Sequence, residues 1–259
     1  MKPIIVGILN ITPDSFYDGG KHNSIEKAIQ HGIKLIQDGA DVLDIGGEST
    51  RPGSSPVSIQ EECARVLDVI QELATKIPIS IDTTKPQVAQ AALSAGASIL
   101  NDVQGLQNPQ LMELSADFEE VVIMHSRGSP QTMQSLTNYN ELCHDIYQFF
   151  ERQILSCPCP KIWIDPGIGF AKTAKQSRIL LKNIQYFSAL GHPIYIGASR
   201  KSFIAKSLGL DPQEDRLAGS LAALAASYQQ GARAFRVHDV AQSKQFMDML
   251  IAIEEAHDH

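Results

Sequence analysis

Carboxylate, amide and cationic side chains recur at one relative place in this chain, each at or just past the end of a short apolar run. The runs end ILNIT (8–12), LDIGGESTR (43–51), SIDTT (80–84), LNDVQG (100–105), IMHSR (123–127), IDPGIGF (164–170), IGASRK (196–201) and FRVHD (235–239). A buried carboxylate such as Asp82 or Asp165 can accept two N–H donors of a planar ligand at once. An amide such as Asn101 offers a donor and an acceptor. Arg51, Lys201 and Arg236 supply positive charge for a small anionic substrate, and Arg forks match phosphate oxygens. No Ser-His-Asp or Cys-His pattern marks a covalent nucleophile.

Stretches with helical periodicity separate the eight runs. That alternation predicts a barrel of eight parallel strands, each followed by a helix. Active sites of such barrels sit at the C-terminal strand ends. Asn10, Arg51, Asp82, Asn101, Asp165, Lys201, Arg236 and His238 are therefore expected in one pocket. Predicted helices cover about 25–38 (with Asn23-Ser24 as cap), 59–75, 109–117, 139–155, 173–190, 214–229 and 241–256. A further helix starts at Pro86, and a short one follows Lys201. DGADVLDI (38–45), AGASILND (95–102) and QGARAFRV (230–237) form a weak repeat, each a helix-ending glycine with a tight turn into a strand.

Composition narrows the classes. The 259 residues suit one barrel domain, and 43% hydrophobic residues support a sizeable core. A net charge of −7 argues against a general nucleic-acid or anionic-membrane binder. No apolar run approaches the roughly 18 residues of a membrane span. The apolar part of MKPIIVGILNIT is too short for a secretion signal, so a cytoplasmic location is expected. Cys63, Cys143, Cys157 and Cys159 lack zinc-like spacing and read as packing residues.

Taken together and in order, NITPDSFYDGG (10–20), DIGGESTRPG (44–53), SIDTTKPQVA (80–89), NDVQG (101–105), DPGIGF (165–170), GASRKSF (197–203) and RVHDV (236–240) resemble dihydropteroate synthase. The resemblance implies a single-domain α/β protein, a TIM (β/α)8 barrel. It implies a transferase of folate biosynthesis that joins 6-hydroxymethyl-7,8-dihydropterin diphosphate to p-aminobenzoate, with Mg2+ as cofactor, commonly as a homodimer. It assigns Asp82, Asn101, Met124, Asp165, Gly197 and Lys201 to the pterin. Asn10, Arg51, Arg236 and His238 fall to the pyrophosphate, with Asn10 on Mg2+ or a phosphate oxygen. Ser49 and Ser220 are weaker phosphate candidates. Thr50, Pro52, Phe170, Lys201 and Ser202 fall to p-aminobenzoate, a slot where sulfonamides would compete. The loop TPDSFYDGG would act as a lid, with Asp18 near the developing cation or the metal.

Plainer readings compete at each position. Asp82 and Asp165 could cap loops, Arg236 and His238 could form ion pairs at the rim, and Met124 could be simple core. Two other functions share the barrel. A methyl transferase between a folate and a corrinoid protein needs no pyrophosphate clamp, which STRPG, SRKS and RVHD argue against. A non-catalytic pterin binder would be expected to lose the lid or the clamp. The Ala-rich segment LAGSLAALAASY (217–228) could serve a dimer interface or its own barrel equally well.

Overall fold

The computed structural model describes residues 2–12, 21–50, 53–211 and 213–256. Eight strands form a closed parallel barrel in sequence order. They are β1 (Ile4–Asn10), β2 (Val42–Gly46), β3 (Ile79–Asp82), β4 (Ile99–Asp102), β5 (Glu120–Met124), β6 (Ile162–Asp165), β7 (Ile194–Ile196) and β8 (Ala232–Val237). Closure comes from β1 on β8, where Val6 faces Arg236. Around the barrel run α1 (Lys21–Gln37), α2 (Ile59–Leu73), α3 (Pro86–Ser94), α4 (Pro109–Leu114), α5 (Leu142–Ser156), α6 (Ala174–Lys182), α7 (Ser202–Leu208), α8 (Leu217–Gln229) and α9 (Val240–Glu254).

Local chemistry sets many of these ends. Ser58 Oγ accepts from the Glu61 amide at 3.1 Å and starts α2. Thr173 and Gln176 form a reciprocal capping box on α6. Pro86 and Pro109 open their helices, where a missing N–H costs nothing. The three repeats share one geometry: Gly39, Gly96 and Gly231 have φ of 98°, 109° and 101°. Only glycine adopts that backbone without strain.

Three predicted helices differ from the observed ones. The first begins at Lys21, so Asn23 and Ser24 lie inside it instead of capping it. Its opening turn is polar and carries no periodicity to read. The stretch 173–190 is two elements: α6 stops at Lys182, and a 3-10 segment covers Ile184–Leu190. Asn183 Nδ2 donates to the Ile179 carbonyl at 2.7 Å, a side-chain competitor for the helix backbone. Likewise α4 gives way to a 3-10 turn at Ser115–Asp117, where Ser115 Oγ bonds the Met112 carbonyl.

Two cores result. The larger lies between strands and helices and includes Leu9, Leu43, Ile81, Leu100, Phe150 and Phe187. The smaller fills the barrel interior with Val6, Ile99, Val122, Trp163, Tyr195 and Ala234. Side chains two apart on a strand share a face. The residues two positions later therefore form the next interior layer: Ile8, Asn101, Met124, Asp165, Gly197 and Arg236. Asp44 and Asp82 join them from β2 and β3. This upper layer is the floor of the C-terminal mouth.

Candidate active site

Asp44 organises the floor. It is fully buried and accepts from Ser80 Oγ at 2.6 Å, from Asn101 Nδ2 at 3.2 and 3.3 Å, and from Arg236 Nε at 2.5 Å. Arg236 turns a second arm to Asp82, with Nη2 2.8 Å from Oδ2. Burial opposes the guanidinium's charge, yet Asp44 and Asp82 together hold its pKa above the usual value. Two of its five N–H donors are thus committed, and its side chain keeps 19% exposure toward the mouth.

Asp82 is left with an open valence. Its Oδ1 is buried and has no hydrogen-bond partner among the described residues. Burial lifts its pKa to about 7; Arg236 pulls the other way, and Asp44 adds to the rise. An unpaired buried carboxylate oxygen is costly unless a ligand donor meets it.

Across the barrel, Asp165 ends β6 opposite Met124. Its Oδ1 accepts the Gly167 amide at 2.7 Å. Burial raises its pKa, while Lys201 opposes that rise. Gly197 lines the gap between the two sides. A Cβ there would lie 3.8 Å from Asp165 Oδ2 and 3.8 Å from Arg236 Cδ. The absent side chain leaves room between carboxylate and guanidinium for a flat ligand.

Lys201 Nζ donates to the Ile168 carbonyl at 2.6 Å and stands 4.6 Å from the Phe170 ring centroid. Burial lowers its pKa to about 8. Phe170 and Thr50 border a cavity of about 240 Å3 that reaches Asp82 and the loops after β2, β3 and β5. Ser202 opens the seven-residue α7 and is exposed.

The family model for pterin binding enzymes matches residues 6–238. Dihydropteroate synthase of Synechocystis sp. is 44% identical over 248 residues, covering 92% of this chain and 86% of that protein. The chain belongs to the dihydropteroate synthase family. Solved structures agree. Xanthomonas albilineans dihydropteroate synthase with 4-aminobenzoic acid superposes with a TM-score of 0.91 at 39% identity, covering 99% of this chain and 94% of that one. The same organism's enzyme in complex with 7,8-dihydropteroate gives 0.88 at 37% identity, with 99% and 95% covered.

Against the expectations for a dihydropteroate synthase, Asp82, Asn101, Met124, Asp165, Gly197, Lys201 and Arg236 do share one floor. Asn10 stands at the same mouth. Its Oδ1 lies 3.7 Å from where a Gly46 Cβ would be, and Asp82 Cβ is 3.5 Å from that point. His238 sits higher on the rim, its backbone N–H and Nδ1 at 3.2 and 3.1 Å from Ser199 Oγ. Asp18, Arg51 and Pro52, with the rest of the segment 13–20 and the tail 257–259, lie outside the described residues. Ser220 has a structural role of its own. It accepts the Arg200 amide at 2.9 Å and donates to the Arg216 carbonyl at 2.7 Å. The first bond braces the left-handed Arg200 (φ 55°), so Ser220 supports the rim.

Asp44 and Ser80 escaped assignment from sequence. The signal was present: Asp44 is a charge inside the otherwise apolar run VLDIG, in phase with Val42. Membrane-spanning helices are absent among the described residues: no helix is long and apolar enough. No group of three or more His, Cys, Asp or Glu is arranged for a metal ion among them. Among the described residues the mouth offers the Asn10 amide oxygen and, beside it, the open Oδ1 of Asp82. So small a set would suit an ion that keeps most of its water, as Mg2+ usually does.

Proposed function

We propose that this chain condenses 6-hydroxymethyl-7,8-dihydropterin diphosphate with p-aminobenzoate, forming 7,8-dihydropteroate and releasing pyrophosphate. The observation that carries it is the unpaired, buried Asp82 Oδ1 facing a floor that also holds Asp165, Asn101 and Lys201. Four polar groups, three at strand ends and Lys201 at the start of α7, match the donors and acceptors on the edge of a dihydropterin. Ionised Asp165 would take two ring N–H donors, Asn101 and Asp82 the remaining edge, and Lys201 would donate to a ring carbonyl or nitrogen. Relatives solved with 4-aminobenzoic acid and with 7,8-dihydropteroate support the same pairing of substrates.

The reaction we infer is a dissociative substitution at the pterin methylene. The C–O bond to pyrophosphate breaks with its electrons leaving on oxygen, and the ring spreads the cation. The neutral arylamine then attacks and loses a proton, so no strong base is needed. Arg236 keeps three N–H donors beyond its pairs to Asp44 and Asp82, and these, with Arg51 and His238, would meet the leaving charge. Asn10 and diphosphate oxygens would hold Mg2+, which supplies further charge neutralisation when bound. Asp18, on the loop after β1, would face the cation. Thr50, Pro52, Phe170, Lys201 and Ser202 would receive p-aminobenzoate. A homodimer and a cytoplasmic location belong to the same reading.

Incubating the protein with dihydropterin diphosphate, Mg2+ and p-aminobenzoate, and following pyrophosphate and dihydropteroate together, tests the proposal. Equal amounts of both products are expected. Pterin binding with neither product would overturn it in favour of a barrel that only holds the ring.

A further inference from the structure

The turn after β6 has every carbonyl from Gly167 to Ala171 taken. Gly167 O accepts the Phe170 amide at 3.1 Å. Ile168 O accepts Lys201 Nζ at 2.6 Å, and Gly169 O accepts Gln134 Nε2 at 3.2 Å. Phe170 O accepts Lys172 Nζ at 2.9 Å, and Ala171 O accepts Tyr139 OH at 3.0 Å. The turn needs that much holding. Gly167, Gly169 and Ala171 all have positive φ, of 71°, 83° and 50°, and Ala171 is not a glycine. A Cβ on Gly167 would lie 2.0 Å from the His125 carbonyl oxygen, so the turn is pressed against the end of β5.

Lys172 is the centre of that contact. It is 3% exposed, rare for a lysine, and no step of the proposed reaction uses it. Besides Phe170 O, its Nζ meets His125 Nδ1 at 3.0 Å and His125 O at 3.3 Å. An ammonium would donate to all three. A neutral amine would donate to the two carbonyls and accept from a protonated Nδ1, so the set is satisfied in either charge state. His125 is itself fixed, edge-on to Phe149 with centroids 5.0 Å apart. Tyr139 on the other flank is covered by Arg127, 3.9 Å above its ring.

We propose that Lys172 is a positioning residue for the arylamine slot: by tying the Phe170 carbonyl to His125, the residue after β5, it holds the Phe170 ring beside Lys201. Tyr139 supports the same turn from its other side. Only the identity of the slot's ligand rests on the proposed function. The positioning rests on the contacts above.

The test uses the full chain with 4-fluorophenylalanine at position 170, read by fluorine NMR, together with steady-state kinetics. Lys172→Met keeps the stem and removes the donors. It should move or broaden the fluorine signal and raise KM for p-aminobenzoate on the order of tenfold, as loss of a buried hydrogen bond implies. KM for the dihydropterin diphosphate should rise less, by about threefold at most: Asp165 and Lys201 touch the same turn through the Gly167 amide and the Ile168 carbonyl, while Asp82 and Asn101 sit on other strands. Tyr139→Phe should act in the same direction and more weakly, and it decides the matter if Lys172→Met does not fold. An unchanged fluorine signal, or equal rises in both KM values, would overturn the proposal. If the unsubstituted chain forms no dihydropteroate, the proposed reaction fails, and the fluorine signal alone decides the role of Lys172.

Discussion

Two layers of the barrel interior stand two residues apart on the same strands and do opposite things. The lower layer, Val6, Ile99, Val122, Trp163, Tyr195 and Ala234, is a closed apolar plug. The upper layer sets Asp44, Asp82, Asn101, Asp165 and Arg236 almost as deep, at 4% exposure or less for the first four. Backbone geometry is shared, since the period of two that aims Ala234 inward aims Arg236 inward as well. The difference is in charge. Trp163 Nε1 finds Glu120 at 2.5 Å, while Tyr195 Oη below and Asp82 Oδ1 above are buried with no hydrogen-bond partner among the described residues. A barrel thus separates holding from acting by one step along each strand, with the ionisable carboxylates and the guanidinium confined to the layer that meets substrate.

That contrast breaks most visibly at Arg236. Arg236→Ala should abolish turnover, with kcat/KM lower by at least about 10^3-fold. It should also cost about 3–5 kcal/mol of stability, because Asp44 and Asp82 lose their cation. Activity loss with an unchanged urea midpoint would mean that Arg236 serves the ligand alone. Trp163→Ala probes the other layer. It should remove about 3–5 kcal/mol from stability by leaving a cavity, while kcat of the folded fraction changes less than about threefold. Urea unfolding and active-site titration separate the two quantities.

A finer probe is pH. Asp82 holds its proton up to about pH 7 in the folded chain, against an ordinary value of 3.8. Between those values the folded state binds more protons than the unfolded state. Stability should therefore fall as pH rises through that window. Asp82→Asn should flatten the fall, measured as urea midpoints from pH 4 to 7; an identical slope in both proteins would assign it elsewhere. The smallest effect belongs to the loops. Phe170→Leu loses a cation–ring contact of about 0.5–1 kcal/mol. Sulfonamide binding should weaken about two- to fivefold, more than the normal reaction slows. Equal losses would show that drug and substrate use the ring alike.

The same division governs what could be read from sequence. Strand ends repeat, so Asp82, Asn101, Asp165 and Arg236 were legible as one floor before any coordinates. Asp44 was not singled out, because its value lies in contacts to β4 and β8, and sequence carries no distance between those strands. Arg236 was read as an anion clamp; its inward pairs to two carboxylates show that it also neutralises the floor. The bracing role of Ser220 was not legible, because a helix serine gives no sign of the left-handed Arg200 whose amide it accepts. Lys172 escaped notice for a related reason: a lysine following GIGFA reads as a solvated turn residue until the fold buries it.

The most direct measurement compares the unsubstituted chain with Asp165→Asn. Both are titrated with dihydropterin diphosphate and Mg2+ in a calorimeter, then given p-aminobenzoate while pyrophosphate and dihydropteroate are counted. The upper layer as ring receptor predicts binding weaker by on the order of 100-fold in Asp165→Asn, from loss of a charged two-point contact, with both products falling together. Unaltered binding and turnover in Asp165→Asn would contradict the assignment of this floor to the pterin.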